Sequence, residues 1–414
     1  MRARIHRGAR EIGGSCVELE HDGERIVLDI GLPLSHDPDD PPILPAVQGL
    51  SPGTDRDGLL AVVISHTHPD HIGLLAVVAS DVPVYGGEAA GRVSQAAAPF
   101  MPAGKAPRQW LPMRDREQLA VGPFTVTPLL VDHSAFDAYA LLVEAGGRRL
   151  LYSGDLRAHG RKPSTWRRLI DEPPAGVHAL VLEGTRLSRP GEQNTTEREV
   201  EHQLAKLCGE TEGIVLVCYS GQNIDRLVSV YRASKRAGRM LVLDLYGAAV
   251  AAATRRKTIP QASWEDVRVF VPHAQRRRII EEKRFDAIDA IRSHRIFPEQ
   301  LASLGPRLVL TMRGSMTREL ERARCLRGAA AVWSMWPGYL DAPSGRRLCE
   351  WLGDHEIPLT TIHASGHAAA ADLQALAAAI GAQRVVPIHT AAPERYADLF
   401  SNVEIHQDGV WWEV

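Results

Sequence analysis

Short apolar runs, each closed by Gly, Asp or Pro, dominate the first part of the chain. "CVELE", "RIVLDIG" and "LLAVVIS" are rich in β-branched residues and bounded by turn formers, which predicts strands. "HIGLLAVVA" then reads as the start of a helix. "FTVTPLLVDH", "AYALLVEAG", "RRLLYSGD" and "ALVLEGT" (Ala179–Thr185) return to strand character. From Met1 to about Arg186 the pattern therefore predicts a β-rich half whose polar residues gather at strand ends. From about Glu192 the rhythm changes. "TEREVEHQLAKLC" has the spacing of an amphipathic helix, and "GIVLVCYSGQNIDRLVSVYRASKRAG" reads strand, loop, helix. "RMLVLDLYG", "RLVLTMRGS" and "AAAVWSMWPG" are further strands interleaved with helical segments such as "MTRELERARCL". That alternation predicts a parallel sheet covered by helices. The chain closes with "PLTTIHASGH", the Ala-rich helix "AAAADLQALAAAIG" and the strand "QRVVPIHT".

At 414 residues the chain exceeds one ordinary core, so two domains are expected. The 44% hydrophobic and 24% charged residues describe a soluble globular protein. Cys16, Cys208, Cys218, Cys325 and Cys349 are widely spaced and contain no CxxC pair, which argues against a disulfide framework and a cysteine zinc knuckle. The start, "MRARIHRGAREIGG", has no apolar signal core, and no apolar run reaches the length of a membrane span. The cytoplasm is the expected location. A net charge of −2 gives no overall basic footprint for nucleic acid, although "TRRK" (Thr254–Lys257) and "QRRRII" (Gln275–Ile280) are local basic clusters that also fit a solvated helix face.

The stretch "VVISHTHPDHIG" concentrates His66, His68, Asp70 and His71 in one turn that leaves an apolar strand. Neutral imidazole and carboxylate suit a zinc-like dication. Four ligands are too few for two closed metal sites, and the remainder should sit at other strand ends. His133 in "LLVDH", Asp155 in "YSGD" and His389 in "VVPIHT" occupy such ends, with Asp155 a candidate bridge between two ions.

With "LDIG" (Asp29), "HTHPDH", His133, Asp155 and His389 in that order, the chain resembles the metallo-β-lactamase superfamily. The resemblance implies one metal on His66, His68 and His133, and a second on Asp70, His71 and His389, with Asp155 bridging. Two Zn2+ are implied, Mn2+ being the alternative. Asp29 would support the histidine loop without binding metal; a plain strand-end turn accounts for it equally well.

The stretch between Asp155 and His389 is long enough for an inserted domain, and this resembles the β-CASP branch of nucleases, ribonuclease J and the pre-mRNA 3′-end endonuclease among them. Glu183 in "VLEGT" matches the branch's motif A, His367 in "HASGH" motif B and His389 in "PIHT" motif C, with Thr390 where glycine is usual. The implied fold is an α/β one: a metallo-β-lactamase αββα sandwich with an inserted Rossmann-like β-CASP domain. The expected boundaries are 1–190 and 351–414 for the sandwich and 191–350 for the insertion, with the substrate in a cleft between them. The resemblance implies a two-metal phosphodiesterase in which Asp70 serves the metals, His367 protonates the leaving 3′ oxygen and Glu183 orients that histidine.

By the same resemblance, histidine in motif C leans towards RNA over DNA; single-stranded RNA is the expected partner, with DNA possible. A DNA-processing nuclease or a small-molecule metallo-hydrolase is the alternative. Ser220, Gln222, Asn223 and Arg226 in "CYSGQNIDR", and Arg313 and Ser315 in "TMRGSMTREL", lie at strand-to-helix turns suited to phosphate, although N-capping explains such serines as well. His363, four residues before His367, is a further candidate phosphate contact. Trp336 and Tyr339 are candidates to stack a base, while Trp333 reads as core. The chain as given ends at "WWEV", soon after His389, so the dimer of ribonuclease J is not carried over; a homodimer is compatible with the sequence.

Overall fold

The computed structural model describes residues 1–37, 40–100, 109–189 and 191–414. The chain divides into two compact units. One comprises Met1–Ala98, Pro102–Gln193 and Gly366–Val414, and the other Asn194–Ser365 with Pro99–Met101.

The first unit is built on two sheets. One has seven strands in the order Trp411–Glu413, Arg2–Arg7, Cys16–His21, Glu24–Leu28, Leu59–Val63, Val84–Gly87 and Trp110–Met113. The other has six, in the order Arg384–Ile388, Ala179–Glu183, Arg148–Tyr152, Tyr139–Ala145, Phe124–Leu130 and Leu119–Val121. Side chains alternate across each strand, so both faces of these sheets are buried. Ile5, Leu19, Leu28 and Val63 of the first sheet share one core with Phe124, Leu141, Leu150, Val181 and Ile388 of the second. The opposite face of the second sheet, with Leu142, Leu151 and Leu180, is covered by Leu169 of helix Pro163–Asp171 and by Leu373 and Leu376 of helix Ala370–Ile380. Val27 and Val62, on the other face of the first sheet, pack against Leu50 and Leu74. This layering is the expected αββα sandwich.

The helix expected over "HIGLLAVVA" is broken. A turn of helix at Pro69–Ile72 is followed by a 3-10 turn at Leu75–Val77. Gly73 separates them where a Cβ would lie 2.6 Å from Leu32 Cβ, so the backbone of the turn runs against its neighbour too closely for a side chain.

In the second unit seven strands pair in the order Arg295–Ile296, Val267–Phe270, Met240–Asp244, Leu308–Thr311, Val215–Cys218, Ala330–Trp333 and Leu359–Thr361. Every pair is parallel, as the strand–helix alternation predicts. Helix Glu197–Glu210 opens on a capping box between Thr196 and Glu199. Residue 350 falls inside helix Pro343–Asp354, and this unit continues to Ser365 because strand Leu359–Thr361 pairs with Ala330–Trp333. Among the described residues no helix is long and apolar enough to cross a membrane.

Candidate metal centre

Parallel and antiparallel strands of both sheets of the first unit end where the polar residues of the sequence gather. Strand Leu59–Val63 leads into His66 and His68, and the short helix Pro69–Ile72 carries Asp70 and His71. His133 follows Phe124–Leu130, Asp155 follows Arg148–Tyr152, and His389 follows Arg384–Ile388. Potential ligand atoms of His66, His68, His133 and Asp155 all lie within 4.8 Å of one another, as do those of Asp70, His71, Asp155 and His389. Asp155 is common to both groups. A third group joins it to Glu183 and His367.

The unsatisfied atoms test whether this set fits metal. Buried polar atoms are nearly always hydrogen-bonded, yet among the described residues His66 Nε2, His71 Nε2, His389 Nε2 and both carboxylate oxygens of Asp155 have no hydrogen-bond partner. They converge: Asp155 Oδ2 is 3.2 Å from His71 Nε2, 3.7 Å from His66 Nε2 and 3.9 Å from His133 Nε2. His389 Nε2 is 3.6 Å from Asp70 Oδ2. Imidazole lone pairs facing a shared carboxylate are the donor set of a dication site.

The other nitrogen of most of these rings is held. His71 Nδ1 is 2.7 Å from Asp29 Oδ2, His389 Nδ1 2.8 Å from Ser15 Oγ, His66 Nδ1 3.0 Å from Ser65 Oγ and His133 Nδ1 2.6 Å from the Gly366 carbonyl. Such contacts fix the orientation of each ring and direct its Nε2 toward the Asp155 or Asp70 carboxylate. His68 differs, presenting Nδ1 at 3.0 Å from His133 Nε2. Asp29 is a hub: it also accepts from Ser65 N, Ser65 Oγ and Tyr152 OH. His389 has φ 52°, in the left-handed region. Thr390 next to it is buried and donates its hydroxyl to the Gly184 carbonyl at 3.0 Å while accepting from Ala392 N at 3.2 Å. The loop after His389 is thus tied by a side-chain hydroxyl at the position where glycine was expected.

Charge follows burial and neighbours. Burial, reinforced by the other histidines, pushes His66 and His133 well below the ordinary histidine range, and burial holds His68 at about 4. Burial also lowers His389. These rings are neutral near pH 7, the form that binds metal. His71 is the exception: burial opposes its charge, but the Asp155 and Asp29 carboxylates outweigh it and raise it well above that range. Burial likewise opposes charge on Asp155, and His389, His71 and His367 overcome it and keep its carboxyl well below the usual carboxylate range. His367 loses to burial but gains more from Glu183 and Asp155, and is pushed up to about 9. Its Nδ1 lies 3.4 Å from Glu183 Oε1 and 3.7 Å from Asp155 Oδ2, and its side chain is 20% exposed. Buried Glu183 is itself fixed by the Thr185 and Ala368 amides.

The residues expected to hold substrate lie in the second unit, and their surroundings there vary. Ser220 and Ser315 are exposed, and His363 is half-buried. Asn223 caps helix Ile224–Arg236, accepting from Arg226 N. Arg226 is fully buried: its guanidinium pairs with Glu197 and donates to the Ser334 carbonyl and hydroxyl. A guanidinium spent on these internal partners holds the unit together and is not presented to a phosphate. Arg313 pairs with Asp244 and lies over the Tyr246 ring, and Asp244 keeps its charged form favoured against burial. Trp333 belongs to the core, as expected, while Tyr339 is exposed. Ser15, Tyr152 and Gly366 were not legible as parts of the centre, because nothing local marks a partner so distant in the chain.

Comparison with known proteins agrees with this geometry. Residues 39–207 match the family model described as a beta-lactamase superfamily domain. The chain is 29% identical over 213 residues to ribonuclease J of Sinorhizobium meliloti, covering 49% of this chain and 36% of that one. It is 25% identical over 406 residues to ribonuclease J of Mycobacterium tuberculosis, covering 92% of this chain and 67% of that one. The chain thus spans only part of the length of these relatives, little more than a third in the first case. A crystal structure of a protein of unknown function from Enterococcus faecalis V583 superimposes with a TM-score of 0.81 at 20% identity, covering 99% of both chains, which shows a shared fold. The chain is thus similar to the metallo-β-lactamase superfamily over residues 39–207 and to ribonuclease J over most of its length, a likeness consistent with the β-CASP branch.

Proposed function

We propose that the chain is a two-metal phosphodiesterase that hydrolyses RNA, with zinc in both positions. The observation that carries this reading is the pair of ligand groups sharing Asp155, in which His66 Nε2, His71 Nε2, His389 Nε2 and both Asp155 oxygens have no hydrogen-bond partner among the described residues. His66, His68 and His133 would hold one ion and Asp70, His71 and His389 the other, with Asp155 between them. Paired dications of this kind supply an activated water near neutral pH and offset charge on a phosphate. In the reaction the water oxygen forms a bond to phosphorus as the bond from phosphorus to the 3′ oxygen breaks. His367 is placed to give that oxygen its proton, and Glu183 holds the ring in position and favours its protonated form. The matches to ribonuclease J sequences support RNA as the substrate.

A small-molecule hydrolase would use the same ligands but would have no need of His367 or the second unit. Incubation of the zinc-loaded protein with end-labelled RNA and DNA separates the readings. Cleavage of RNA that falls about 10²–10⁴-fold in His367→Ala and is abolished in Asp70→Ala is expected. Cleavage of DNA in preference to RNA would move the assignment to a DNA nuclease. Absence of cleavage of either would refute the nuclease reading.

A further inference from the structure

His133 lies three residues beyond the end of its strand, Phe124–Leu130. The ladder pairing Phe124–Leu130 with Tyr139–Ala145 ends at Leu130 opposite Tyr139, with Val131 N donating to Ala138 O just beyond, and the loop that carries His133 is held by a further anchor besides the Gly366 carbonyl. That anchor comes from the segment that directly follows Asp155. Arg157 and Asp132 form a fully buried ion pair, with Nε 3.3 Å from Oδ1. Asp132 Oδ2 accepts from Lys162 N at 2.8 Å, and the Asp132 carbonyl accepts from Arg157 N at 2.7 Å. Lys162 Nζ donates to the His133 carbonyl at 3.1 Å.

The strands leading to the two loops are not neighbours, since Tyr139–Ala145 runs between them. The ion pair therefore spans a strand to join the loop of His133 to the loop of Asp155. Gly160 lies against it: a Cβ there would meet Asp132 Oδ1 at 2.2 Å and Arg157 Nε at 2.5 Å. A buried ion pair is a poor source of stability, because desolvation offsets its attraction. Fixed geometry is what this one contributes: Asp132 directly precedes His133, which belongs to one ligand group alone, whereas Asp155 is shared by both.

We propose that the Arg157–Asp132 pair, with Lys162, is a positioning device for His133 that sets metal affinity at the His66/His68/His133 position and leaves the Asp70/His71/His389 position largely unaffected. The inference rests on the two-metal reading above.

Calorimetric titration of the metal-free full chain with Zn2+ tests it, alongside thermal unfolding of the same metal-free samples. The double variant Asp132→Asn/Arg157→Met removes both charges yet keeps an acceptor for Lys162 N. One of two binding events is expected to weaken about 10–100-fold, the other to stay within about twofold, and Arg157→Lys to recover part of the loss. Lys162→Met, which deletes a single hydrogen bond on a half-buried side chain, keeps the test open if the double variant fails to fold; a several-fold weakening of the same event is expected. Two events of wild-type affinity in the variants, or equal weakening of both, would overturn the inference. A wild-type protein that binds no zinc would instead remove the metal-centre reading on which it rests.

Discussion

Replacing Asp29 by Asn alters one buried atom and tests how the proposed Asp70/His71/His389 metal position is held. Asp29 has φ 58°, a left-handed conformation that Asn tolerates as well as Asp, so the backbone should persist. Its Oδ2 accepts from His71 Nδ1 at 2.7 Å, Ser65 Oγ at 2.7 Å and Tyr152 OH at 2.8 Å, and its Oδ1 accepts from Ser65 N at 2.7 Å. An amide cannot serve all of these donors. With its oxygen kept toward the three, its NH2 faces the Ser65 N–H and leaves a buried donor unpaired, which costs about 1–3 kcal/mol. Losing the carboxylate also removes one of the two negative charges, Asp29 beside Asp155, that favour charge on His71. Denaturant unfolding of the metal-free protein should show that destabilisation, and zinc affinity should fall about 10–100-fold at one position. Stability within about 0.5 kcal/mol of wild type, the level of an ordinary surface substitution, together with unchanged zinc affinity, would refute the reasoning.

Gly366→Ala would set a methyl 2.9 Å from Ser134 Oγ and 3.1 Å from His133 Cε1; metal analysis should find the His133 position depleted, and full occupancy would contradict this. Arg226→Met takes the balancing charge from buried Glu197, which should cost about 3–5 kcal/mol in denaturant unfolding, while Arg226→Met/Glu197→Leu recovers most of it and leaves the RNA affinity of folded protein unchanged. Glu18 is buried against its own charge, but hydrogen bonds from His6, Arg4 and Arg25 prevail and hold it at about 2 instead of 4.5. A depressed carboxylate stabilises fully above its unfolded pKa and loses that contribution as pH falls toward the folded one. Wild type should therefore lose about 3 kcal/mol between pH 4.5 and 2 from this group, and Glu18→Gln should show a flatter decline; identical acid profiles would contradict the assignment.

The fold was legible where local pattern decides it. Runs such as "LLAVV" and "ALVLE" can only be strands buried on both faces, and the strand–helix alternation after Glu192 leaves little besides a parallel sheet. The seven histidines and aspartates stood out because strand ends concentrate them, and the chain folds so that they meet. What remained hidden depends on distance along the chain. Ser15 reaches His389 across 374 positions, and Tyr152 reaches Asp29 across 123; neither serine nor tyrosine carries a local mark of such a role. Arg226 was misleading for the same reason. A strand-to-helix turn suggests a phosphate cradle, but Glu197 on the facing helix claims the guanidinium. The break at Gly73 came from close packing against Leu32, which helical spacing cannot register.

The central claim is a pair of metal positions sharing Asp155, and the metal content of the protein after stripping and refilling with zinc tests it most directly. Two ions per chain in wild type and fewer in Asp155→Ala, with RNA cleavage following the content, is the expected result. A wild-type protein that retains no metal, or an Asp155→Ala variant that retains two ions, would contradict it.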